Sequence, residues 1–303
     1  MKSPLLVIAG PTGVGKTEVS IQIAKEIEGE IVIADSVQVY RYLDIGSGKP
    51  SPEERREVPH HLLDIVDPDK EFDAHDYVER ARPVIKEISE RGKIPILCGG
   101  CGFYIRQLLR GEFPAPPRDD KIREELWKEG EEKGWETLFQ ELLRVDPEYA
   151  GKIHPHDKVR IIRALEVYRI TKRPLSSFTP YSSSFFYSPL LFLVLVRPRE
   201  ELYKRIEERV EKMWEKGWVE EVRGLLEKGF PPDSPGLQSL GYAEIVELLQ
   251  GKLRVEEAKE VIKKRTRKYA KRQITWFRRE EAYWITLEEE KGRMKELIKK
   301  FIR

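Results

Sequence analysis

The chain of 303 residues is long enough for about two domains and for a hydrophobic core that needs no disulfide bonds. It carries 55 Lys and Arg and 53 Asp and Glu, a net charge of +2, which argues against a uniformly basic nucleic-acid-binding protein. Two cysteines exclude a disulfide framework. The longest apolar run, Leu190–Val196, is far shorter than the roughly 20 residues of a membrane helix. We therefore expect a soluble, cytoplasmic protein with no membrane partner.

Predicted strands and helices alternate over the first third of the chain. Short apolar runs predict buried strands at Leu5–Ala9, Ile31–Ala34 and Ile94–Cys98. Apolar residues at helical spacing predict helices at Glu18–Glu28, Asp76–Arg91 and Gly102–Leu109. This alternation indicates an α/β fold, a parallel sheet flanked by helices, in which ligands bind at the carboxyl ends of the strands.

A segment of different character interrupts this pattern. It is Pro-rich at 111–118, helical over Asp119–Ile170, and rich in Ser, Pro and Tyr over Thr171–Pro189. Because Leu190–Val196 then returns to a strand pattern, we predict that residues 112–189 form an inserted, mainly helical domain. The catalytic core domain would comprise 1–111 and 190–303.

The strongest local motif is GPTGVGKT at Gly10–Thr17, which lies between a predicted strand and a predicted helix. The complete pattern G-x-x-x-x-G-K-[ST] in this setting predicts a loop that binds a di- or triphosphate. Its backbone N–H groups and the helix N-terminus would face the phosphate oxygens. Lys16 supplies a positive charge, and the Thr17 hydroxyl is a candidate Mg²⁺ ligand.

The magnesium-binding Asp of ordinary ATPases is missing after the strand Ile94–Cys98, which ends in glycines. The carboxylate instead follows the second strand, at Asp35, where it is equally compatible with a turn cap and a general base. Cys98 and Cys101 suggest a redox or metal pair, but an incidental role is favoured because no second cysteine pair exists. Lys49 lies in a glycine-rich loop, from which it could swing over a bound anion.

Two long helices, Glu200–Lys228 and Val255–Arg279, are predicted to close the chain. The segment Lys263–Arg279 has nine basic residues and no acidic residue, interleaved with aromatic side chains, and favours contact with a phosphate backbone. In the inserted segment, Asp157 can cap a helix that carries basic residues one turn apart, which suits either RNA or a plain surface.

Taken in order, these motifs resemble the tRNA dimethylallyltransferase family, from Gly10 to about Trp284. The matching strings are GPTGVGKT at 10–17, DSVQVY at 35–40, Asp44–Pro50, His60–Asp64, Arg160–Glu166, GYAE at 241–244 and YAKRQITWFR at 269–278. The resemblance implies transfer of a dimethylallyl group from dimethylallyl diphosphate to N6 of adenosine 37, beside the tRNA anticodon, with release of diphosphate. We expect a monomer that uses Mg²⁺ and contacts the anticodon stem-loop.

The resemblance also implies roles for residues. Asp35 would accept the proton of the adenine amino group, Thr17 would bind the metal and diphosphate, and Arg209 would stabilise the leaving charge. Diphosphate, in place of ATP, would lie on Gly10, Pro11, Thr12, Gly13, Val14, Gly15, Lys16 and Thr17. The implied tRNA contacts are Asp35, Ser36, Val37, Gln38, Cys101, Arg123, Val159, Arg160, Ile161, Ile162, Arg163, Lys271 and Arg272.

Two residues depart from the family pattern. Cys101 stands where Thr is usual, and Val159 stands where Gln commonly precedes the first Arg. The nearest alternative is an adenylate isopentenyltransferase that acts on free AMP, ADP or ATP, but the inserted helices and the basic C-terminal segment favour RNA. An ATP- or GTP-driven switch is disfavoured because the magnesium Asp is missing.

Overall fold

The computed structural model describes residues 4–111, 115–178 and 186–302, which fall into two compact units. The first unit combines Met1–Arg110 with Ser184–Arg303, and the second spans Gly111–Ser183. The predicted inserted range, 112–189, overlaps the second unit. Each unit has a buried apolar core of its own.

A parallel sheet forms the centre of the first unit. Its strands are β1 Leu5–Ala9, β2 Gly29–Ala34, β3 His60–His61, β4 Ile94–Gly99, β5 Leu190–Val196 and β6 Tyr283–Thr286. They lie in the order β3-β2-β4-β1-β5-β6, and every neighbouring pair is parallel. The parallel α/β sheet predicted from the sequence is confirmed.

Helices connect these strands and form the second unit. In chain order they are α1 Lys16–Ile27, α2 Pro52–Glu57, α3 Ala74–Glu90, α4 Gly102–Arg110, α5 Asp120–Lys133, α6 Trp135–Val145, α7 Pro147–Ala150, α8 Lys158–Thr171, α9 Arg199–Glu215, α10 Trp218–Glu227, α11 Tyr242–Leu249, α12 Val255–Phe277 and α13 Lys291–Phe301. Helices α5 to α8 belong to the second unit. No helix that the structure describes is long and apolar enough to cross a membrane.

Both faces of the sheet are buried, as β1 illustrates. Successive side chains of a strand point to opposite faces. Leu6 and Ile8 therefore belong to a core cluster with α1 and α13, whereas Leu5 and Val7 belong to one with α3 and α4. Because the strands are parallel, the residues that follow β1, β2, β4 and β5 all emerge at the same edge of the sheet.

One predicted helix is wrong. The range Glu200–Lys228 is two helices, α9 and α10, because Gly217 has a φ of 91° and its N–H donates to the Trp214 carbonyl at 3.0 Å. This left-handed conformation ends a helix and is readily adopted only by glycine. The sequence prediction also lacked five short elements: α2, β3, α11, β6 and α13.

The second unit packs helices α5, α6 and α8 around apolar side chains such as Leu126, Leu142 and Leu165. At its centre lies Glu166, which is fully buried. Its carboxylate accepts from the Asp119 N–H at 2.7 Å and from the Arg163 guanidinium at 2.8 Å. A buried carboxylate needs such partners, because an unpaired charge is costly away from water.

Candidate active site

The phosphate-binding loop runs from the end of β1 to the start of α1 and requires glycine. Gly10 and Gly13 have φ values of 150° and 81°, which L side chains rarely adopt. A Cβ at Gly10 would lie 2.5 Å from the Leu195 carbonyl oxygen, and one at Gly13 would lie 2.9 Å from a carbon of Ile206. The glycines therefore permit both the curl of the loop and the close approach of β5 and α9.

Side chains from distant segments hold the loop from outside. The Nε of Arg197, just after β5, donates to the Val14 carbonyl at 2.8 Å, and the Nε of Arg205, on α9, donates to the Gly13 carbonyl at 3.0 Å. The shape of the loop is therefore fixed by β5 and α9 as well as by its own sequence.

Lys16 folds back over this loop. Its Nζ donates to the carbonyls of Gly10 at 3.0 Å and Pro11 at 2.9 Å. Burial lowers the pKa of Lys16 to about 8, and the nearby Arg209 guanidinium acts in the same direction, whereas Asp35 opposes it. A bound anion would raise the pKa again, so anion binding favours the charged lysine.

This pKa predicts a pH dependence. Well below pH 8 Lys16 is protonated, so we expect its contribution to the binding of inorganic diphosphate to be complete there. Above pH 8 binding must be accompanied by proton uptake, and the Kd should rise by about tenfold per pH unit more than that of Lys16→Arg, which keeps its charge. Calorimetric titration in metal-free buffer between pH 7 and pH 9.5 measures this difference, and parallel pH profiles for the two proteins would contradict it.

Asp35 follows β2 directly and lies at the edge of the sheet near the loop. Its Oδ1 accepts from the N–H groups of Val37 at 2.9 Å and Gln38 at 3.3 Å, so the carboxylate does cap the turn. It also lines a cavity beside the loop and contributes electrostatically to Lys16 and Arg209. The capping position and a chemical role are therefore compatible, because a carboxylate has two oxygens.

Arg209 projects from α9 towards the same point. Its guanidinium packs so closely on Gly48 that a Cβ there would lie 1.8 Å from one of its nitrogens. Burial lowers the pKa of Arg209, and Asp35 partly offsets this effect. Among the described residues no acceptor forms a hydrogen bond or ion pair with this side chain. A half-buried, unpaired cation next to a phosphate loop is suited to an anionic ligand.

Two cavities meet at these residues. One, the central cavity, of about 750 Å³, is lined by Asp35, Ser36, Val37 and Gln38, together with Lys16 and side chains of α12. The other, of about 860 Å³, is lined by basic side chains of α9, namely Arg205, Arg209 and Lys212. They share Gly13, Gly15, Thr17, Gly48, Glu54, Arg205, Arg209 and Met213. The loop and Arg209 thus form a wall common to two spaces that can hold two different molecules.

Comparison with known proteins identifies the family of this chain. A model of the IPP transferase family matches residues 38–280. The chain belongs to the IPP transferase family. A tRNA dimethylallyltransferase from Geobacter metallireducens is 50% identical over 287 residues, covering 94% of this chain and 93% of that protein. One from Geobacter sulfurreducens is 46% identical over 293 residues, covering 94% and 92%.

The fold is also similar to those of solved structures. The full-length tRNA isopentenylpyrophosphate transferase from Bacillus halodurans is 37% identical, with a TM-score of 0.71 over 99% of this chain and 97% of that one. A eukaryotic dimethylallyltransferase acting on tRNA is 31% identical, with a TM-score of 0.81 over 98% and 78% of the two chains. The predicted family and fold class are therefore confirmed.

Within this IPP transferase, α12 has a less basic surface than its sequence indicates. Acidic side chains from other segments pair with four of its cations, in the pairs Lys259–Glu211, Lys263–Glu211, Arg265–Glu244 and Arg267–Glu207. The exposed Lys271 and Arg272 lie nearer the C-terminal end, and Arg272 lines the central cavity together with Lys268 and Tyr269. Positive charge is therefore concentrated at the cavity end of the helix.

Two further side chains near the cavity are engaged with the protein itself. Lys49 does not swing freely, because its buried Nζ donates to Asp64 at 2.6 Å and to Asp44 at 2.8 Å. Gln38 uses its amide to donate to the carbonyls of Ser47 at 3.2 Å and Gly48 at 3.3 Å. Both side chains shape the loop that presents Gly48 to Arg209.

Cys101 follows the glycine turn at the end of β4. Its N–H donates to the Ala34 carbonyl at 3.1 Å. Burial raises the pKa of the Cys101 thiol to about 12, so the sulfur remains neutral beside Asp35. Its predicted contact with tRNA stays a prediction.

The residues of α8 with predicted RNA contacts differ in their exposure. Ile161 and Ile162 are 0% and 2% exposed in the core of the second unit, so their side chains are not available to RNA. Val159 is 61% exposed, and Arg160 is exposed beside Asp157. A helix turns about 100° per residue, so adjacent residues cannot all face outward.

Arg163 and Arg123 also interact with other residues of the second unit. The Arg163 guanidinium donates to Glu166 at 2.8 Å and to the Pro116 carbonyl at 2.7 Å. Arg123 lies 3.6 Å from the same Glu166 carboxylate. Both arginines therefore neutralise a buried acid, and any RNA contact must use their remaining N–H groups.

The burial on α8 gives a stability prediction. Ile162→Ala should lower the free energy of unfolding by about 2–4 kcal/mol, because it leaves a cavity in the core. Val159→Ala, at an exposed position one helical turn earlier, should change this free energy by less than about 0.5 kcal/mol. Urea unfolding of the two variants tests the assignment, and equal effects would contradict it.

Proposed function

We propose that this protein is a cytoplasmic tRNA dimethylallyltransferase that transfers a dimethylallyl group from dimethylallyl diphosphate to N6 of adenosine 37. The observation that carries the proposal is that a phosphate loop and an unpaired guanidinium form the wall between two cavities, one of which is also lined by a strand-end carboxylate. The phosphate loop and Arg209 hold the diphosphate, and Asp35, Ser36, Val37 and Gln38 surround the adenine, which must leave the anticodon stack to reach them.

The bond changes can be written for these residues. The bond between the allylic carbon and the diphosphate oxygen breaks, and its electron pair leaves with diphosphate. Adenine N6 forms the new bond to that carbon, and its proton passes to the free oxygen of Asp35. Lys16 and Arg209 hold the charge that develops on the leaving group, in a site preorganised before the reaction.

The residues present fit a magnesium ion that arrives with its substrate. Among the described residues no cluster of three or more His, Cys, Asp or Glu is arranged to hold a metal. Mg²⁺ is usually bound through one or two protein oxygens plus substrate phosphates, and Thr17, which carries a hydroxyl, lines both cavities. When bound, the ion would neutralise part of the negative charge of the diphosphate.

A tRNA substrate is favoured over free adenine nucleotides. The relatives above are named as enzymes of tRNA, and the free-nucleotide alternative has no support from them. In this chain the exposed cations Lys268, Lys271 and Arg272 lie at the cavity end of α12. The RNA phosphates on either side of a flipped base would meet positive charge there.

The decisive experiment compares the two acceptors directly. The protein is incubated with dimethylallyl diphosphate, Mg²⁺ and either an anticodon stem-loop that carries A37 or AMP, and the nucleosides are analysed by mass spectrometry. A mass increase of one dimethylallyl group on adenosine of the stem-loop alone is expected. If AMP is modified and the stem-loop is not, the substrate is the free nucleotide and not tRNA.

A further inference from the structure

A buried glutamine connects α12 to both glycine turns at the edge of the sheet. Gln273 is 5% exposed. Its Oε1 accepts from the N–H of Thr12 in the phosphate loop at 2.9 Å, and its Nε2 donates to the carbonyl of Gly100, after β4, at 2.9 Å. Only one orientation of the amide satisfies both partners, because the first is a donor and the second an acceptor.

The contact with Thr12 acts on Lys16 through one peptide group. The N–H of Thr12 and the carbonyl of Pro11 belong to the same planar unit and point in opposite directions. Gln273 holds the N–H side of this unit, and the carbonyl side accepts from Lys16 Nζ at 2.9 Å. The glutamine therefore fixes the peptide plane on which the ammonium group of Lys16 rests.

The same glutamine is linked to the cavity end of α12. It lines the central cavity together with Tyr269, one turn earlier, and Arg272. The helix approaches the second glycine turn so closely that a Cβ at Gly100 would lie 2.3 Å from Gln273 Nε2. A Cβ at Gly102 would lie 2.1 Å from the Trp276 ring.

We propose that Gln273 is a positioning residue that joins α12 to the phosphate loop and, through the Pro11–Thr12 peptide group, places Lys16 for diphosphate binding. The proposal rests on the proposed function for its ligand. Gln273 does not touch the reacting atoms in this assignment. It acts on the affinity for diphosphate because the loop and Lys16 take their shape from it.

The test is the variant Gln273→Met, which has a similar length but lacks both the donor and the acceptor. The Kd of inorganic diphosphate, measured by calorimetry, should rise by about tenfold, which corresponds to about 1.4 kcal/mol, the size of one or two net hydrogen bonds. The KM for dimethylallyl diphosphate should rise by a similar factor, and the KM for the anticodon stem-loop should stay within about twofold. A merely structural role would lower the folded fraction, and with it the apparent kcat, and would leave both constants of the folded protein unchanged.

Thr275→Val is the matched control, because Thr275 lies on the same helix, is exposed, and donates only to the Lys271 carbonyl within it. It should leave the diphosphate Kd unchanged. Gly100→Ala is the second test variant, since it displaces the Gln273 amide without removing it, and it should weaken diphosphate binding in the same direction.

An unchanged diphosphate Kd in folded Gln273→Met would overturn the proposal. Loss of cooperative unfolding in both Gln273→Met and Gly100→Ala would overturn it as well, because the glutamine would then serve the core alone. These outcomes differ from failure of the proposed function, which would be seen as absence of dimethylallyl transfer by the unmodified protein.

Discussion

Asp35→Asn is expected to lower kcat for dimethylallyl transfer by about 10²- to 10⁴-fold, the usual contribution of a general base. The substitution is nearly isosteric. An amide oxygen can still accept from the N–H groups of Val37 and Gln38, so the turn after β2 should persist. What disappears is the basic oxygen that takes the proton from the adenine amino group. Single-turnover measurements with saturating stem-loop and dimethylallyl diphosphate isolate this step.

Binding measurements separate this role from damage to the site. Asp35 is a negative charge beside the phosphate loop, so its removal should leave the affinity for inorganic diphosphate unchanged or increase it. Asp69→Asn, at a carboxylate that pairs with Lys70 on the surface, serves as the control and should be fully active. Full activity of Asp35→Asn would remove Asp35 as the base, and weaker diphosphate binding would indicate a distorted loop.

Local sequence determines the part of the site that could be predicted. The loop Gly10–Thr17 and Asp35 each follow a short apolar run, and the residue after a buried parallel strand must emerge at the ligand-binding edge. Nothing beyond strand recognition and chain order is needed to place them together. The same reasoning correctly indicated an α/β sheet with a helical segment between two of its strands.

Contacts between distant segments could not be predicted in this way. Gln273 lies 261 residues from Thr12 in sequence, and only packing of α12 on the sheet edge brings the two together. The acid-free run of α12 concealed its ion pairs, because their acidic partners, such as Glu211 and Glu207, lie on α9. The glycine-rich neighbours of Lys49 suggest a side chain that can swing over a bound anion, yet it is buried and paired with Asp64, from another loop.

The wrong prediction of one helix across α9 and α10 has a different cause. Apolar residues continue at helical spacing through Gly217, so periodicity alone predicts one helix. A glycine in that position is a legitimate stop signal, and the left-handed φ of 91° shows that it acts as one. The turn allows Trp218 to pack against Gly46 and Gly241, beside the loop that contacts Arg209.

Arg209→Gln is expected to lower kcat/KM for dimethylallyl diphosphate by about 10²- to 10³-fold, because it removes a preorganised positive charge from the leaving diphosphate. Glutamine keeps hydrogen-bonding capacity but not the charge. Arg209→Lys should retain part of the activity, since it restores the charge without the fork of donors that a guanidinium offers to phosphate oxygens. Arg223→Gln, on the exposed surface of α10, is the matched control and should change nothing.

Stability distinguishes a ligand-binding role of Arg209 from a structural one. The guanidinium is half-buried, its pKa is lowered by that burial, and none of the described residues accepts a hydrogen bond from it. A charge in this state destabilises the ligand-free protein, so Arg209→Gln should unfold at an equal or higher temperature than the unmodified chain. Added diphosphate should raise the unfolding temperature of the unmodified chain more than that of the variant. A lower unfolding temperature together with an unchanged diphosphate Kd would mean that Arg209 supports the fold and that the anion site lies elsewhere.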